Sequence, residues 1–313
     1  MEWSIQAKDL SKSFGGVSAV HRATLEVGLG EMFGIIGPDG AGKTTFIRML
    51  CGILSPTSGT ASVLGLDINR DADLVKTQIG YLSQKFSLYG DLTVDENIEF
   101  FAGINKVVDF KKRREELLEF TRLAPFRDRL AEKLSGGMKQ KLGLACTLIH
   151  TPRMVFLDEP TTGVDPVSRR DFWTILHRIV REGTTLVMST PYLDEAERCS
   201  RIALIHKGEL MVTGTPDEVK KTMKHQVLEV VCSPVRSALL LLKEQIPGIE
   251  VQSFGDRLHI AVTRESSQMN TLRSRLEQAG IEIKQWRVIP SSLENVFISL
   301  LSSRVDESAS GFV

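Results

Sequence analysis

The chain has 313 residues, of which 42% are hydrophobic and 25% charged, a composition typical of a globular protein. Lys plus Arg and Asp plus Glu both number 39, so the formal net charge is zero and no basic excess indicates a nucleic-acid partner. The N-terminal residues lack an apolar core and no run of 18 apolar residues occurs, so we expect neither a signal peptide nor a membrane span.

Strands and helices alternate along the first 222 residues. The pattern predicts short strands over 1–35, a helix over 42–53 and a mostly helical subdomain at about 85–150. Four consecutive apolar residues at 154–157 are typical of a central parallel strand buried on both faces. The next predicted elements are a helix, a strand, a helix and a strand, at 167–182, 184–189, 192–198 and 201–205. This alternation predicts an α/β domain, 1–222, with helices on both faces of the sheet.

The segment 223–302 has a different pattern. Its predicted elements follow the order βαββαβ, with strands at 227–232, 249–254, 258–262 and 282–288 and helices at 235–245 and 266–279. That order predicts a small α+β domain of the ferredoxin-like type. We expect a last helix over 291–301, and a disordered tail over the polar residues 303–313.

A glycine-rich loop lies between an apolar strand and a helix. It follows the pattern G-x-x-x-x-G-K-[ST], with Gly37, Pro38, Asp39, Gly40, Ala41, Gly42, Lys43 and Thr44. The backbone of such a loop, here extending to Thr45, wraps phosphates, and the helix that begins near Gly42 adds its positive dipole end. We expect Lys43 to reach the β- and γ-phosphates and the Thr44 hydroxyl to bind Mg²⁺. A chance match is expected in about one chain of this length in a hundred, so the loop predicts ATP binding.

Two carboxylates, Asp158 and Glu159, follow the apolar strand at 154–157. At the carboxyl edge of a parallel sheet, they are expected to lie beside the phosphate loop. We expect Asp158 to hold Mg²⁺ and Glu159 to orient and polarise an attacking water. In isolation the pair could equally be two solvated acids at a strand end, but the loop upstream favours an ATPase.

Residues 134–140 read LSGGMKQ and precede the acid strand. With the phosphate loop and the acids, they make residues 4–220 resemble the P-loop ATPase cassette of ABC transporters, whose signature is LSGGQ. Met138 stands where glutamine is usual. In that family, two cassettes close head to tail, and each ATP lies between one phosphate loop and the other chain's signature. The resemblance implies a second cassette, in a homodimer or heterodimer, and ATP contacts from Ser135, Gly136 and Gly137.

Further positions match elements of the ABC family. Phe14 stands where the family has an aromatic residue that stacks on adenine, although a core phenylalanine is the alternative. Gln84 matches the glutamine that contacts Mg²⁺ and links the cassette to its membrane partner. The resemblance therefore implies Lys43, Gln84 and Glu159 as the catalytic residues, and Thr44, Gln84 and Asp158 as the metal ligands.

One position departs from the family pattern. The family usually has a histidine after Ser-Thr or Ser-Ser, and this histidine contacts the γ-phosphate. Here Ser189 and Thr190 are followed by Pro191, which has neither a side-chain donor nor a backbone N–H. The departure predicts that the chain's own ATP site is slow or regulatory, and that it forms an asymmetric pair with another cassette.

Several segments resemble the ATPase subunits of ABC-2 type exporters, which include multidrug and antibiotic efflux systems. They are the phosphate loop, 84–89, 134–142 and the ending at 290–297, and the first three also resemble the N-terminal ATPase half of bacterial YbhF-type proteins. The resemblance implies a separate membrane permease of the ABC-2 type and a cytoplasmic location on the inner face of the membrane. Four scattered cysteines also favour a reducing compartment.

Two other functions remain open from the sequence. An ABC ATPase that acts on DNA or ribosomes generally carries two cassettes or long coiled-coil insertions, and this chain has neither. A regulator that binds ATP without hydrolysing it is consistent with Pro191, whereas Glu159 argues against it.

Overall fold

A computed structural model describes residues 3–85, 88–223, 225–246, 249–262 and 266–310, with the side chains of 266, 267 and 303–310 left out. The chain divides into two compact units, Met1–Thr215 and Pro216–Val313. The first unit thus ends before the predicted boundary at 222. The helix Pro216–Lys221 belongs to the second unit, where it packs against the last helix of the chain.

The first unit contains ten strands and seven α-helices among its described residues. In chain order they are β1 (Trp3–Phe14), β2 (Val17–Gly28), β3 (Met32–Ile36), α1 (Lys43–Leu50), β4 (Ser58–Val63), β5 (Leu66–Asp67), α2 (Ala72–Gln78), β6 (Ile79–Leu82), α3 (Val94–Ile104), α4 (Lys111–Thr121), α5 (Gly136–Leu148), β7 (Met154–Asp158), α6 (Pro166–Arg181), β8 (Thr185–Thr190), α7 (Leu193–Ala196), β9 (Arg201–His206) and β10 (Glu209–Gly214).

A six-stranded sheet in the order β10-β9-β3-β8-β7-β6 forms the centre of this unit. Its strands run parallel except β10, which pairs antiparallel with β9. Every residue of β3, β7 and β8 is buried, which explains why β3 and residues 154–157 of β7 are apolar throughout. β8, with the sequence TLVMST, also buries hydroxyl side chains at both of its ends. The phosphate loop follows β3 and the acids end β7, so both lie at the carboxyl edge of the same sheet.

A second sheet is antiparallel, in the order β2-β1-β4-β5. Strands were expected over 1–35, but β1 and β2 are longer than predicted, with 12 residues each. Sequence analysis missed β4, because the segment SGTASV has small and polar residues rather than an apolar alternation. The helical subdomain was correctly predicted, and α3 begins with a capping box between Thr93 and Glu96.

The second unit confirms the predicted βαββαβ order. Its elements are α8 (Pro216–Lys221), β11 (Gln226–Ser233), α9 (Val235–Gln245), β12 (Val251–Phe254), β13 (Arg257–Val262), α10 (Ser266–Gln278), β14 (Glu282–Ile289) and α11 (Leu293–Ser310). The sheet is antiparallel in the order β12-β13-β11-β14, the ferredoxin-like arrangement. Apolar residues of β11 and β13, such as Leu228 and Ile260, pack with α9 and α10 in its core.

The end of the chain differs from the prediction. Helix α11 continues to Ser310, through residues expected to form a disordered tail. No proline or glycine interrupts the chain between Leu293 and Gly311, so nothing in the backbone stops the helix earlier. Residues 311–313 lie outside the described ranges. Among the described residues, no helix is both long enough and apolar enough to cross a membrane.

Candidate nucleotide-binding site

The phosphate loop makes two backbone approaches that only glycine allows. A Cβ on Gly37 would lie 2.2 Å from the Ile205 carbonyl oxygen, and one on Gly42 would lie 2.3 Å from that of Ala19. Gly42 also has a φ of 103°, in the left-handed region. The loop is therefore held against β9 on one side and β2 on the other, just where α1 begins.

Lys43 folds back over its own loop and is only 3% exposed. Its ammonium donates hydrogen bonds to the carbonyl oxygens of Gly37 and Pro38, at 2.8 and 2.9 Å. It also lies 2.9 Å from a Glu159 carboxylate oxygen. The cation that the sequence assigns to the phosphates and the acid that it assigns to the water are therefore direct neighbours.

Asp158 is fully buried within a group of hydroxyls. Its Oδ1 accepts hydrogen bonds from the Ser189 hydroxyl at 2.6 Å and from the Thr44 hydroxyl at 3.1 Å. Its Oδ2 lies 3.4 Å from the Tyr81 hydroxyl, and burial raises the pKa of Tyr81 to about 12. The tyrosine therefore stays protonated and donates to the carboxylate at neutral pH.

Glu159 is held by both its backbone and its carboxylate. Its N–H donates to the Ser189 hydroxyl at 3.0 Å, and its φ of 50° lies in the left-handed region. The second carboxylate oxygen accepts from the Gln84 amide at 3.0 Å and faces the Thr162 hydroxyl at 3.4 Å. A non-glycine residue with positive φ is strained, and such strain persists where surrounding contacts fix the backbone.

Ser189 and Tyr81 are two functional candidates that sequence analysis missed. Their positions in the sequence could have indicated them. Each lies near the carboxyl end of a strand that neighbours β7, and side chains from such strand ends meet at one edge of the sheet. From the sequence, Ser189 was considered only as one of the two residues that precede Pro191.

The oxygen atoms beside Lys43 suit a magnesium ion. Magnesium takes oxygen ligands and is usually held by one or two carboxylates together with substrate phosphates and water. The Thr44 hydroxyl and the Asp158 carboxylate provide two such ligands 3.1 Å apart. Gln84 is exposed, and its amide nitrogen bonds Glu159, which leaves its carbonyl oxygen as the third predicted ligand.

The remaining predicted site residues of the first unit differ in how exposed they are. Within the loop, Pro38, Asp39 and Gly40 are exposed, Ala41 is buried, and Thr45 is partly buried in α1. Phe14 is half exposed at the end of β1, with the Lys12 ammonium 5.2 Å from its ring, so it is not the core residue of the alternative interpretation.

The signature segment forms the start of α5. Ser135 caps this helix by accepting a hydrogen bond from the Met138 N–H, and both Ser135 and Gly136 are exposed. Gly137 is buried, and a Cβ there would lie 2.4 Å from the Ser168 Cβ of α6. The exposed start of α5 thus leaves its serine and first glycine accessible from outside the unit.

Known families match both units of the chain. Residues 20–162 match the ABC transporter family, and residues 214–301 match the C-terminal domain of DrrA1-3-like ATP-binding proteins. The chain is 34% identical over 312 residues to the daunorubicin/doxorubicin resistance ATP-binding protein DrrA of Streptomyces peucetius, covering 97% of this chain and 94% of DrrA.

Two further relatives each match about two thirds of the chain. Over 221 residues, the chain is 43% identical to the probable multidrug ABC transporter ATP-binding protein YbhF of Escherichia coli, covering 70% of this chain but only 38% of YbhF. The cassette MJ0796, solved as a dimer bound to ADP and Pi in a post-hydrolysis state, is 25% identical, with a TM-score of 0.62 over 67% of this chain and 98% of that one. The chain therefore belongs to the ABC transporter ATP-binding proteins of the ABC-2 exporter type, a family of transport-coupled ATPases.

Proposed function

We propose that this chain binds Mg·ATP in the loop 37–45 and hydrolyses it to drive export through a separate ABC-2 type permease. The proposal rests on one observation above all. At one sheet edge, Lys43 contacts Glu159 at 2.9 Å, and the neighbouring Thr44 contacts Asp158 at 3.1 Å. The lysine expected to bind the phosphates, the two residues expected to bind the metal and the expected general base therefore lie next to one another.

Binding begins with the triphosphate. The backbone amides of the loop and the N-terminus of α1 favour negative charge. The phosphate oxygens would compete with the Gly37 and Pro38 carbonyls and with Glu159 for the Lys43 ammonium. Phe14, half exposed at the end of β1, would stack on the adenine. Each ATP bound therefore releases Glu159 from its ion pair.

Thr44, Asp158 and Gln84 would hold the magnesium ion. When bound, it offsets the negative charge of the β- and γ-phosphate oxygens. Ser189 and Tyr81 orient the Asp158 carboxylate through their hydroxyls. This support keeps the Asp158 carboxylate pointing toward the Thr44 hydroxyl.

Hydrolysis needs a water molecule aligned with the γ-phosphate. Glu159, freed from Lys43, accepts a hydrogen bond from this water and takes its proton as the water attacks the γ-phosphorus. The bond between the γ-phosphorus and the bridging oxygen breaks, and ADP leaves with the electron pair of that bond. The Gln84 amide and the backbone contact to Ser189 hold Glu159 in place for this step. Lys43 then offsets the charge that develops on the transferred phosphoryl group.

A second cassette completes the site. Ser135, Gly136 and Gly137 of one cassette would contact the ATP bound to the other. Because Pro191 offers no donor to the γ-phosphate, we propose that this chain's own site is the slow one and that its partner is a different cassette. The match to less than half of YbhF leaves room in that relative for further domains.

The permease would dock in an apolar groove of the first unit. A cavity of about 230 Å³ lies between the turn after α1, α2, β6 and the ends of α3 and α5, and its lining includes Ile53, Phe101 and Ile104. Ile53 is 52% exposed and Ile104 59% exposed, and the two line the same groove, so they present a shared apolar surface to a partner. A helix of the permease on the inner face of the membrane fits this groove, while the choice of exported compound is made in the permease.

Co-purification tests this role. Ile53→Asp and Ile104→Asp should each abolish co-purification with a polytopic membrane protein while leaving ATP binding unchanged. Val108→Asp is the matched control, because Val108 is 96% exposed on the loop after α3 and does not line the groove. Retention of the membrane protein by both groove variants would contradict the proposed docking surface, and a soluble DNA or ribosome partner in its place would support the rival function.

A further inference from the structure

A fully buried carboxylate lies behind the acid pair. Glu195, in α7, has no exposed surface. Its Oε1 accepts hydrogen bonds from the Thr161 hydroxyl at 2.7 Å, from Arg169 Nε at 2.6 Å and from Trp173 Nε1 at 3.2 Å. Its Oε2 accepts one from the Thr190 hydroxyl at 2.6 Å.

Burying a carboxylate is unfavourable unless it is paired and hydrogen-bonded. Here four donors, one of which is the cationic Arg169, bond the carboxylate at distances of 2.6 to 3.2 Å. An apolar side chain could fill the same space, but it would not fix the positions of the two hydroxyls. The network therefore determines geometry more than it adds stability.

Two arms of this network lead to the acids. Thr161 stands two residues after Glu159, and the hydroxyl of the next residue, Thr162, faces the Glu159 carboxylate at 3.4 Å. Thr190 directly follows Ser189, which bonds both the Asp158 carboxylate and the Glu159 N–H. One carboxylate thus holds the ends of both strands, β7 and β8, that carry the catalytic groups.

The same network holds the turn at Pro191. The Thr190 hydroxyl accepts a hydrogen bond from the Tyr192 N–H at 3.1 Å, and this bond joins the two residues on either side of Pro191. The Arg169 guanidinium, which bonds Glu195, lies 4.6 Å from the Tyr192 ring. The turn therefore has a fixed shape although it lacks the histidine of the family.

We infer that Glu195 is a positioning residue for ATP hydrolysis: it braces Thr161 and Thr190, and through them holds Glu159 and Asp158 in place for Mg·ATP. The inference rests on the proposed function, because it assigns those two acids their roles. Among the described residues, the Glu195 carboxylate bonds Thr161, Arg169, Trp173 and Thr190, and it makes no hydrogen bond or ion pair to the phosphate loop or to the two acids. Its removal should therefore affect hydrolysis and the magnesium dependence of binding, and leave metal-free nucleotide binding intact.

The test uses three conservative variants of the full chain. Thr161→Val and Thr190→Val each remove one hydroxyl, and Glu195→Gln removes the charge and replaces one acceptor with a donor. Asp194→Asn is the matched control, because Asp194 bonds the same Arg169 from a largely exposed position. Two quantities are measured: the kcat and KM of ATP hydrolysis, and the affinity for a non-hydrolysable ATP analogue with Mg²⁺ and with EDTA.

We expect Glu195→Gln to lower kcat about tenfold or more and each threonine variant to lower it severalfold, with KM nearly unchanged. All three should reduce the factor by which Mg²⁺ strengthens analogue binding, whereas affinity in EDTA stays as in wild type. Asp194→Asn should match wild type in both. If Glu195→Gln does not fold, the kcat values and magnesium effects of the two threonine variants test the inference by themselves.

Folded variants with wild-type kcat and a wild-type magnesium effect would overturn the inference. So would an equal loss of affinity with Mg²⁺ and with EDTA, which marks a purely structural role. If wild type does not hydrolyse ATP at all, the proposed function fails, and the magnesium effect on binding alone then decides the role of Glu195.

Discussion

The Lys43 ammonium and the Glu159 carboxylate form a buried ion pair, with 2.9 Å between Nζ and Oε1. Both side chains are almost fully enclosed, so each neutralises the other in a medium where an unpaired charge is costly. ATP must break this pair to gain the lysine. The competition couples occupation of the phosphate loop to release of the acid that acts on water.

Removing the lysine should abolish tight nucleotide binding. Lys43→Ala deletes the one ammonium that lies within the phosphate loop and leaves Glu159 to repel the triphosphate. We expect affinity for a fluorescent ATP analogue to fall roughly a hundredfold, about 2.7 kcal/mol. Lys111→Ala, on the exposed start of α4, is the control. Unchanged affinity in Lys43→Ala would place the phosphates elsewhere.

Removing the aromatic ring at residue 14 should weaken binding more modestly. Stacking of a base on an aromatic side chain contributes about 1–3 kcal/mol. We therefore expect Phe14→Ala to raise the dissociation constant for ATP about tenfold and Phe14→Trp to preserve it, both by isothermal titration. Val17→Ala, 71% exposed at the other side of the same hairpin, should have no effect. Equal affinity for Phe14→Ala and wild type would remove Phe14 from the site.

A histidine at residue 191 should raise turnover. Pro191→His adds a side-chain donor at the turn after β8, where proline has none. We expect phosphate release by the assembled complex to increase at least about fivefold, on the basis of one added charge-stabilising contact. Pro191→Ala is the control, because it removes the proline ring without adding a side-chain donor. An increase of the same size in both variants, or in neither, would contradict the idea of a slow site.

The stability of the first unit should decrease in mild acid because of His150. Its Nε2 lies 2.9 Å from the Ile79 carbonyl oxygen, and burial lowers its pKa below the ordinary 6.5. The unfolded chain therefore binds more protons in the window below 6.5, so stability is full above that pH and is lost as the pH falls toward the folded pKa.

Thermal unfolding at pH 5.5 and 7.5 tests this relationship. His150→Gln should show a smaller difference in Tm between the two pH values than wild type, whereas His21→Gln, at an exposed position, should not. An identical pH dependence in His150→Gln and wild type would show that protonation of His150 does not matter to folding.

Much of the architecture could be predicted because its strongest signals are local. The apolar strand at 154–157 and the glycine pattern from Gly37 to Lys43 reflect constraints that act within a few residues. The βαββαβ order of the second unit was predicted for the same reason. The small, polar strand β4 was missed because its place in the sheet depends on pairing with β1, which lies far earlier in the chain.

The contacts within the site were less predictable. The sequence indicated Asp158 and Glu159 as a pair, but not that Glu159 would pair with Lys43 or that Ser189 would bond both acids. These contacts join residues 30 or more positions apart, some on neighbouring strands, so no spacing in the sequence encodes them. Likewise, nothing local in the sequence indicates that Glu195 is buried.

The most direct test of the account compares phosphate release by wild type and Glu159→Gln in the presence and absence of Mg²⁺. The variant keeps the shape of the side chain but cannot take a proton, and it no longer competes with ATP for Lys43. We predict Mg²⁺-dependent release in wild type, a loss of roughly a hundredfold or more in the variant, and equal or tighter ATP binding. Wild-type release rates in Glu159→Gln, or no ATP binding by either protein, would contradict the central claim.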